Sequence, residues 1–573
     1  MDELGKSDET TTIAGLQRKF GLDELNARYF ELLLKANEQS GARGQVSAQP
    51  QTIRIYDPED VHASAARNDL ILYPTSLAPQ ELLQEFPIHD YASLALRPEL
   101  KLVARKACVW LKKMQAGTGS SMLRQKYLAE RLGLRPELVR ISAKGTDLFV
   151  RVGSEECSLA EVQIRRAFAE ADSSKGSFAE VVLHDIVSLE TRDALEGIWE
   201  KYSRELKLSS RVKRSGHTLQ LYVPTLDSEG RITTQRKAPA GHALFFVDAM
   251  RAAYHPELRP LSEFPLISAI SNGEDLNSAP DPAMVGLMVQ KHIGIALVTT
   301  EATRVDVKGG KLGLARLKDG TAYMTVIETA QAKEAGQQAL FERLEGIANT
   351  NLVLINYEVL APRVEKLVAE IGEDEFLRCL CPDLIRNKKK QIDSDGIERE
   401  YTQLEGAMGS SLMNLDRYWR ARFHEPLVHV INVDRQHRTE FFSPVKSAFD
   451  FFMQFHSDRF ELNPRTLKLD NHRPGELPRV TLRDPESRDQ WYQDVSVVLE
   501  AFAGTKIREL DELQIIGKVV LKGLALSGRV EIQSGYSGCF DLSASLVRSA
   551  GTRLHNQRVK IDARGEVRID SIA

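Results

Sequence analysis

The chain has 573 residues, with 76 lysines and arginines against 80 acidic residues, a net charge of -4 and a hydrophobic share of 42%. That length exceeds one ordinary core and predicts about two to four domains, and the average composition excludes a disordered or fibrous protein. The near-neutral balance lacks the basic excess that grips nucleic acid, and no apolar run approaches the roughly 18 residues of a membrane span.

The start of the chain, Met1-Asp2-Glu3-Leu4-Gly5-Lys6, is acidic and polar where a secretory signal is basic and then apolar, so a cytoplasmic protein is expected. Five cysteines, Cys108, Cys157, Cys379, Cys381 and Cys539, show no Cys-x-x-Cys spacing and are expected as reduced thiols. Leu16, Phe20, Leu22, Leu25, Tyr29, Leu32 and Leu33 share the apolar face of an accessory helical segment, followed by a polar linker over 38–51. Residues 1–100 are therefore set apart as an N-terminal helical extension and linker.

From Lys101 onward apolar strand-like runs alternate with helical patterns. Strands are expected at 107–114, 179–183, 218–223, 266–270, 293–299, 352–356 and 427–433. The alternation predicts an α/β fold with a central mixed, mainly parallel Rossmann-like sheet covered by helices, over 101–478. Several runs end where a polar motif begins, which is where open α/β sheets bind ligands. Over 479–573 the texture becomes short β-rich segments without helical periodicity, read as the rungs of a solenoid or as a small sandwich.

The motifs follow in chain order. Gln115-Ala116-Gly117-Thr118-Gly119-Ser120-Ser121-Met122 brings two glycines among small residues after a strand, so its backbone amides can approach a nucleotide closely. Gly241-His242 follows a proline-containing turn and offers an imidazole donor to a phosphate oxygen. Ser271-Asn272-Gly273-Glu274-Asp275-Leu276 carries adjacent carboxylates suited to Mg²⁺, which takes one or two of them and leaves the rest to water and substrate phosphate. Asp306-Val307-Lys308-Gly309-Gly310 reads as a hairpin turn, Asn349-Thr350-Asn351 supplies amides that donate and accept toward sugar hydroxyls, and Pro444-Val445-Lys446 places a lysine after a rigid dipeptide to hold a phosphate. Each has a plain structural reading as a turn or solvated charge; together and in this order they are the parts of a nucleotidyltransferase.

The order resembles the UTP-glucose-1-phosphate uridylyltransferase family, also called UDP-glucose pyrophosphorylases. Residues 114–122 are similar to its Leu-Asn-Gly-Gly-Leu-Gly-Thr-Ser-Met loop, which implies that Gln115, Ala116, Gly117 and Gly119 face the nucleotide. The resemblance also implies that Gln220 and Gly241 read uracil, and that His242 lies near the sugar phosphate. Asn272, Gly310, Glu328 in Glu328-Thr329-Ala330-Gln331, Asn349 and Asn351 are placed by it at the sugar. Gln403-Leu404-Glu405-Gly406-Ala407-Met408-Gly409 and 438–446, from Arg438 to Lys446, match further family motifs.

Three departures stand out, one of them Leu352, which stands where the family often has asparagine and bears on sugar choice. The family's Pro-Lys-Ser, which brings a pyrophosphate-gripping lysine, is missing; residues 123–143 intervene before Lys144-Gly145, and Lys144, Lys126 or Arg124 is left to serve. Glu274 stands where the family has its metal-binding aspartate, with Asp275 as the other candidate. The resemblance implies UTP and glucose-1-phosphate as substrates, UDP-glucose and pyrophosphate as products, Mg²⁺ as cofactor, Lys446, Lys144 and His242 as catalytic groups, and a left-handed parallel β-helix at the C-terminus. Two other readings remain: a UDP-sugar or UDP-N-acetylhexosamine pyrophosphorylase of relaxed sugar choice, and a non-catalytic nucleotide-sugar-binding relative.

Overall fold

A computed structural model of the protein describes residues 13–20, 22–41, 52–55, 69–74, 80–119, 122–172, 176–220, 222–302, 309–316, 322–334, 336–343, 346–392, 398–434, 441–473, 475–487, 489–549 and 552–572. Asp306, Val307 and Lys308 of the expected hairpin, Ser120, Ser121, Leu221, Arg438 and positions 42–51 of the expected linker lie outside the described residues.

Four strands run side by side in parallel: Val212–Leu219, Glu180–Val187, Cys108–Met114 and Leu266–Asn272. In the three inner strands, Glu180–Val187, Cys108–Met114 and Leu266–Asn272, nearly every residue is buried, as parallel strands covered by helices require, while Val212–Leu219 at the edge is only partly covered. Because the four share one direction, their carboxyl ends line up: Met114 lies opposite both Ile186 and Asn272, and Val187 opposite Leu219. The residues that follow, Gln115, Ser188, Gln220 and Gly273, therefore form a row along one edge of the sheet.

Strand Ile347–Asn356 inserts antiparallel beside Leu266–Asn272 and Ile295–Glu301. Beyond it the sheet continues in parallel through Val428–Val433 to Ile88–Asp90. On the other flank, Lys311–Arg316 pairs antiparallel with Ile347–Asn356, Ala322–Ile327 and Asp69–Pro74. The twelve-stranded sheet is thus mixed, parallel where it carries the motif-bearing ends and antiparallel around 347–356.

The expected strand 218–223 is corrected. It spans the end of Val212–Leu219, which belongs to the central sheet, and the start of Tyr222–Leu226, which pairs antiparallel with Ile232–Pro239 in a separate four-stranded sheet. Alternating apolar residues continue through the break, so periodicity alone reads one strand where the chain changes sheets.

Helices cover both faces. Ala243–Tyr254 is apolar almost all round and buried, and Pro282–Gln290 packs so closely that a β-carbon at Gly286 would stand 2.0 Å from the Leu100 carbonyl oxygen. Leu159–Glu170 opens with a capping box in which Ser158 and Glu161 exchange hydrogen bonds of 2.7 and 3.2 Å. No helix among the described residues is long and apolar enough to cross a membrane, and all five cysteines are unpaired thiols.

The N-terminal helices Ile13–Phe20 and Glu24–Gly41 place Leu16, Tyr29, Phe30 and Leu33 in the same apolar cluster as Ala243–Tyr254 and Met408–Phe423. Strands Thr52–Ile55 and Asp69–Pro74 extend the central sheet. After Arg479 come Arg479–Arg483, Leu510–Ile516, Ala525–Ser534 and Arg553–Ile561, paired in parallel one after another, with Val567–Ser571 closing the stack antiparallel. Successive parallel pairs are the pattern of stacked rungs and not of the antiparallel hairpins of a small sandwich. Their interior residues Leu513, Ile515, Val530 and Ile532 share a core with Met122, Leu276, Val445 and Phe449.

Candidate functional site

The Gly-rich turn leaves the end of strand Cys108–Met114, with Gln115 N–H donating to Ile186 O at 2.7 Å. The Gln115 side chain is 3% exposed and wedged between two glycines; a β-carbon at Gly145 would lie 2.2 Å from its Oε1, and one at Gly273 2.5 Å from its Cδ. Its Nε2 donates to Gln163 Oε1 at 3.3 Å, and Gln163 Nε2 donates to Gly273 O at 2.6 Å. This amide chain joins the Gly-rich turn to the turn carrying Glu274 and Asp275.

The two glycines of the turn differ. Gly119 has φ +59° and lies against Lys144, where a β-carbon would come within 2.5 Å of Cε, whereas a β-carbon at Gly117 would meet nothing within 4 Å among the described residues. Gly117 therefore faces open space, consistent with close approach of a ligand. A cavity of about 350 Å³ lies on the Arg124 side of the turn, lined among others by Thr118, Met122, Arg124, Arg140 and Glu190; Gly117, Lys144, Glu274 and Lys446 do not line it.

Of the three cations left by the missing Pro-Lys-Ser, the structure brings Lys144 to the cleft. Its Nζ donates to Val445 O at 2.7 Å, and burial lowers its pKa against the opposing charge of Glu274. Lys126 points to the surface and sits 3.8 Å from Glu130. Arg124 is buried and donates to Asp147 and to the carbonyls of Thr118, Gly119, Met122 and Ser142. It holds the turn from behind.

The two carboxylates at 274 and 275 are also separated by the fold. Asp275 is fully buried; its Oδ1 accepts from Asn277 and Ser278 N–H at 3.0 and 3.1 Å, and burial raises its pKa against the pull of Lys113. Lys113 is itself driven down by burial and donates to Ser278 O at 2.6 Å. Glu274 is half-buried, faces Lys144, and its side chain makes no hydrogen bond or ion pair among the described residues. No group of three His, Cys, Asp or Glu side chains able to hold a metal occurs among the described residues. A lone accessible Glu274 still fits Mg²⁺, which needs one protein carboxylate when phosphates supply the remaining oxygens. Asp275 Oδ2 has no hydrogen-bond partner but is enclosed.

A second cluster forms where Ile347–Asn356 meets helix Met408–Phe423. Gly310 leaves room for Glu328, since a β-carbon there would stand 2.5 Å from Glu328 Oε1, and Asn349 N–H donates to Gly310 O at 2.8 Å. Burial pushes the Glu328 carboxyl up to about 7, opposed by the positive charge of Lys446. Asn349 Nδ2 donates to Asn351 Oδ1 and Asn349 Oδ1 accepts from Asn351 N–H, each at 2.9 Å, which fixes Asn351 at φ +59°.

His242 Nδ1 accepts from Met408 N–H at 3.0 Å and burial lowers its pKa to about 4, so it is neutral at pH 7 with its proton on Nε2. Gly241, at φ +84°, sits against the end of strand Glu398–Gly406, where a β-carbon would lie 2.5 Å from Gly406 O. Tyr29 on the N-terminal helix buttresses the same turn by donating to Ala240 O at 3.2 Å. Gly241→Ala is expected to cost at least about 2 kcal/mol of stability, because the new methyl meets backbone and not a movable side chain; a denaturant melt of the two proteins checks it.

Lys446 is exposed, and its Nζ lies 5.8 Å above the Phe442 ring. Its backbone N–H and that of Ser447 donate to Asp450 Oδ2 at 3.1 and 2.8 Å. Ser447 and Asp450 form a capping box on helix Ala448–Phe455, a signal legible as Ser-x-x-Asp. Val445 N–H reaches Glu274 O at 3.5 Å. Lys446 thus stands between the Lys144–Glu274 group and the Glu328 group. Gln220 follows in the row of strand ends, its N–H donating to Val187 O at 2.6 Å, and Asn272 ends strand Leu266–Asn272. Lys113, Arg124 and Gln163 belong to no sequence motif; only their burial and their hydrogen-bond partners mark them.

A helix-covered α/β sheet whose parallel strand ends carry a Gly-rich turn, cationic side chains and a carboxylate turn defines an α/β protein with its candidate ligand cleft at the carboxyl ends of the strands. A family model described as UTP--glucose-1-phosphate uridylyltransferase matches residues 225–525, over half of the chain. The chain belongs to this family. A protein named UTP--glucose-1-phosphate uridylyltransferase from Saccharomyces cerevisiae (strain ATCC 204508 / S288c) is 29% identical over 265 residues, 46% of each chain. One of the same name from Encephalitozoon cuniculi (strain GB-M1) is 27% identical over 266 residues, again 46% of each. The chain thus aligns to just under half the length of these curated relatives. Among solved structures, a variant of UDP-glucose pyrophosphorylase from Leishmania major in complex with UDP-glucose superposes with a TM-score of 0.64 at 18% identity, covering 97% of this chain and 99% of that one. A UDP-glucose phosphorylase from Trypanosoma brucei gives 0.63 at 17%, covering 96% and 99%. At these identities the likeness is one of fold.

Proposed function

We propose that the protein is a uridylyltransferase that makes UDP-glucose and pyrophosphate from UTP and glucose-1-phosphate in the cytoplasm. The observation that carries this reading is the convergence of the Gly-rich turn, Lys144, Glu274 and Lys446 on one cleft beside the Glu328–Asn349 cluster. A phosphate oxygen of glucose-1-phosphate attacks the α-phosphorus of UTP in line; the new P–O bond forms as the bond to the β-phosphate bridging oxygen breaks, and pyrophosphate carries away the electron pair. The attacking oxygen is already ionised at pH 7, so no general base is needed. Lys144 and Lys446 offset the converging negative charge, and the His242 Nε2–H donates to the sugar phosphate. Mg²⁺, held by Glu274, supplies further charge neutralisation when bound.

Gln115, Ala116, Gly117 and Gly119 line the nucleotide, Gln220 and Gly241 read uracil, and Asn272, Gly310, Glu328, Asn349 and Asn351 surround the sugar. Residues 101–478, together with the strands Thr52–Ile55, Asp69–Pro74 and Ile88–Asp90 that extend the same sheet, form the catalytic part, and the stacked strands beyond Arg479 coil as a left-handed parallel β-helix. The test is pyrophosphate release with Mg²⁺, UTP and glucose-1-phosphate, beside galactose-1-phosphate and N-acetylglucosamine-1-phosphate. Release with glucose-1-phosphate in preference to the others is the expected result. Equal release with all three points to a relaxed sugar pyrophosphorylase, and no release with any of them overturns catalysis.

Glu328 gives this reading a pH signature. As a carboxylate it accepts hydrogen bonds from sugar hydroxyls, and with a pKa near 7 it protonates just below neutrality. The KM for glucose-1-phosphate is expected to rise as pH falls from 8 to 6.5, and Glu328→Gln is expected to reduce that dependence to what protonation of the sugar phosphate itself leaves. Stability moves in the opposite sense. The folded value lies above the ordinary 4.5, so the folded state binds the proton more tightly, and its contribution fades as pH climbs through 7.

A further inference from the structure

Residues 123–143 separate the Gly-rich turn from Lys144, yet the two meet in space. Arg124 makes the junction. Its side chain is fully buried, and Nε donates to Asp147 Oδ2 at 3.1 Å. Nη1 donates to Gly119 O and Met122 O at 3.0 and 3.1 Å; Nη2 donates to Ser142 O at 3.1 Å and to Thr118 O. Asp147 lies in the one-turn helix Lys144–Asp147, and its Oδ2 also accepts from Ser142 N–H at 3.0 Å. On the other side Leu123 is tied to the C-terminal part, its N–H donating to Gln493 O at 2.8 Å and its carbonyl accepting from Val495 N–H at 3.0 Å.

We propose that Arg124 is a positioning residue whose guanidinium, locked on Asp147, holds Lys144 and the Gly-rich turn at a fixed separation so that both meet the same polyphosphate. The proposal rests on the reading of Lys144 as a phosphate-binding group. A planar fork with five N–H donors reaches a carboxylate and four carbonyls at once; an ammonium has three donors and no fixed plane. Burial makes the arrangement all-or-none, because a guanidinium without its carboxylate would be left uncompensated. Lys144 is packed on Gly119, where a β-carbon would stand 2.5 Å from Cε, so a shift of either segment moves the other. In this way the chain recovers, through a buried pair, the short link that the missing Pro-Lys-Ser would have provided.

The test uses the full chain and reads UTP binding by titration calorimetry together with both KM values. Arg124→Lys keeps the charge and loses the fork, and Asp147→Asn keeps the shape and loses the charge. Each is expected to weaken UTP about ten-fold or more while moving the KM for glucose-1-phosphate less than about two-fold. In a Lys144→Ala background, adding Arg124→Lys is expected to weaken UTP by less than about two-fold further, because the group it positions is gone. A lowered melting temperature with unchanged UTP affinity, equal losses for both substrates, or full multiplication of the Arg124 and Lys144 effects overturns the proposal. If Arg124→Lys fails to fold, Asp147→Asn decides. Calorimetry needs no turnover, so a wild-type protein that binds UTP without releasing pyrophosphate counts against the proposed activity alone, and Lys144→Ala with unchanged UTP affinity counts against the role of Lys144.

Discussion

Lys446→Ala is expected to lower kcat about a hundred-fold or more while the melting temperature stays within about 2 °C of the parent. The asymmetry follows from how the segment is built. The backbone N–H groups of Lys446 and Ser447 bond Asp450, and Val445 is buried in the core, so the loop keeps its course without the lysine side chain. The ammonium itself stands exposed between Lys144 and Glu328, where it contributes charge to the cleft and little to packing. A second consequence distinguishes loss of this charge from a general defect. Lys446 holds the Glu328 carboxyl down, so its removal moves that pKa above 7 and shifts the acid limb of glucose-1-phosphate binding to higher pH. Unchanged turnover in Lys446→Ala would remove the residue from the mechanism.

Glu274→Gln is the other large effect expected. At limiting Mg²⁺ the loss in kcat/KM is about a hundred-fold, partly restored when Mg²⁺ is raised, because an amide oxygen is a weaker ligand than a carboxylate but keeps the shape. Its melting temperature without ligands is expected to match the parent. Asp275→Asn should behave in the opposite way: Asp275 is buried over Lys113 and its Oδ1 closes the turn, so its loss lowers stability before it affects the Mg²⁺ requirement. Mg²⁺ titration of activity and a thermal melt on both variants separate the two carboxylates. A normal Mg²⁺ requirement in Glu274→Gln would transfer the ligand role elsewhere.

Much of the fold was legible because the signals are local. The apolar runs at 107–114, 179–183, 266–270 and 427–433 correspond to strands Cys108–Met114, Glu180–Val187, Leu266–Asn272 and Val428–Val433. The run at 218–223 misled because alternation has the same period in a strand that ends and one that begins. The N-terminal helix was readable from its apolar stripe, but its partners were not: Tyr29 bonds Ala240, and Arg28 pairs with Asp374, contacts far away in sequence. Nor could spacing decide among Arg124, Lys126 and Lys144.

The sequence by itself determined the α/β alternation, the β-rich C-terminus, the ordered motifs and, through them, the family. These depend on neighbouring residues and on the chemistry of each side chain, which are written in the chain. Only the tertiary structure decided which side chains reach the cleft. Three cations carry one sign of charge in the sequence and two adjacent carboxylates the other, and burial sorts them: Arg124 and Asp275 are enclosed and hold turns together, Lys126 faces solvent, and Lys144 and Glu274 face each other across the cleft without pairing. Position relative to water fixes whether a charge supports the backbone or remains available to a ligand, and that position is set by contacts between distant segments.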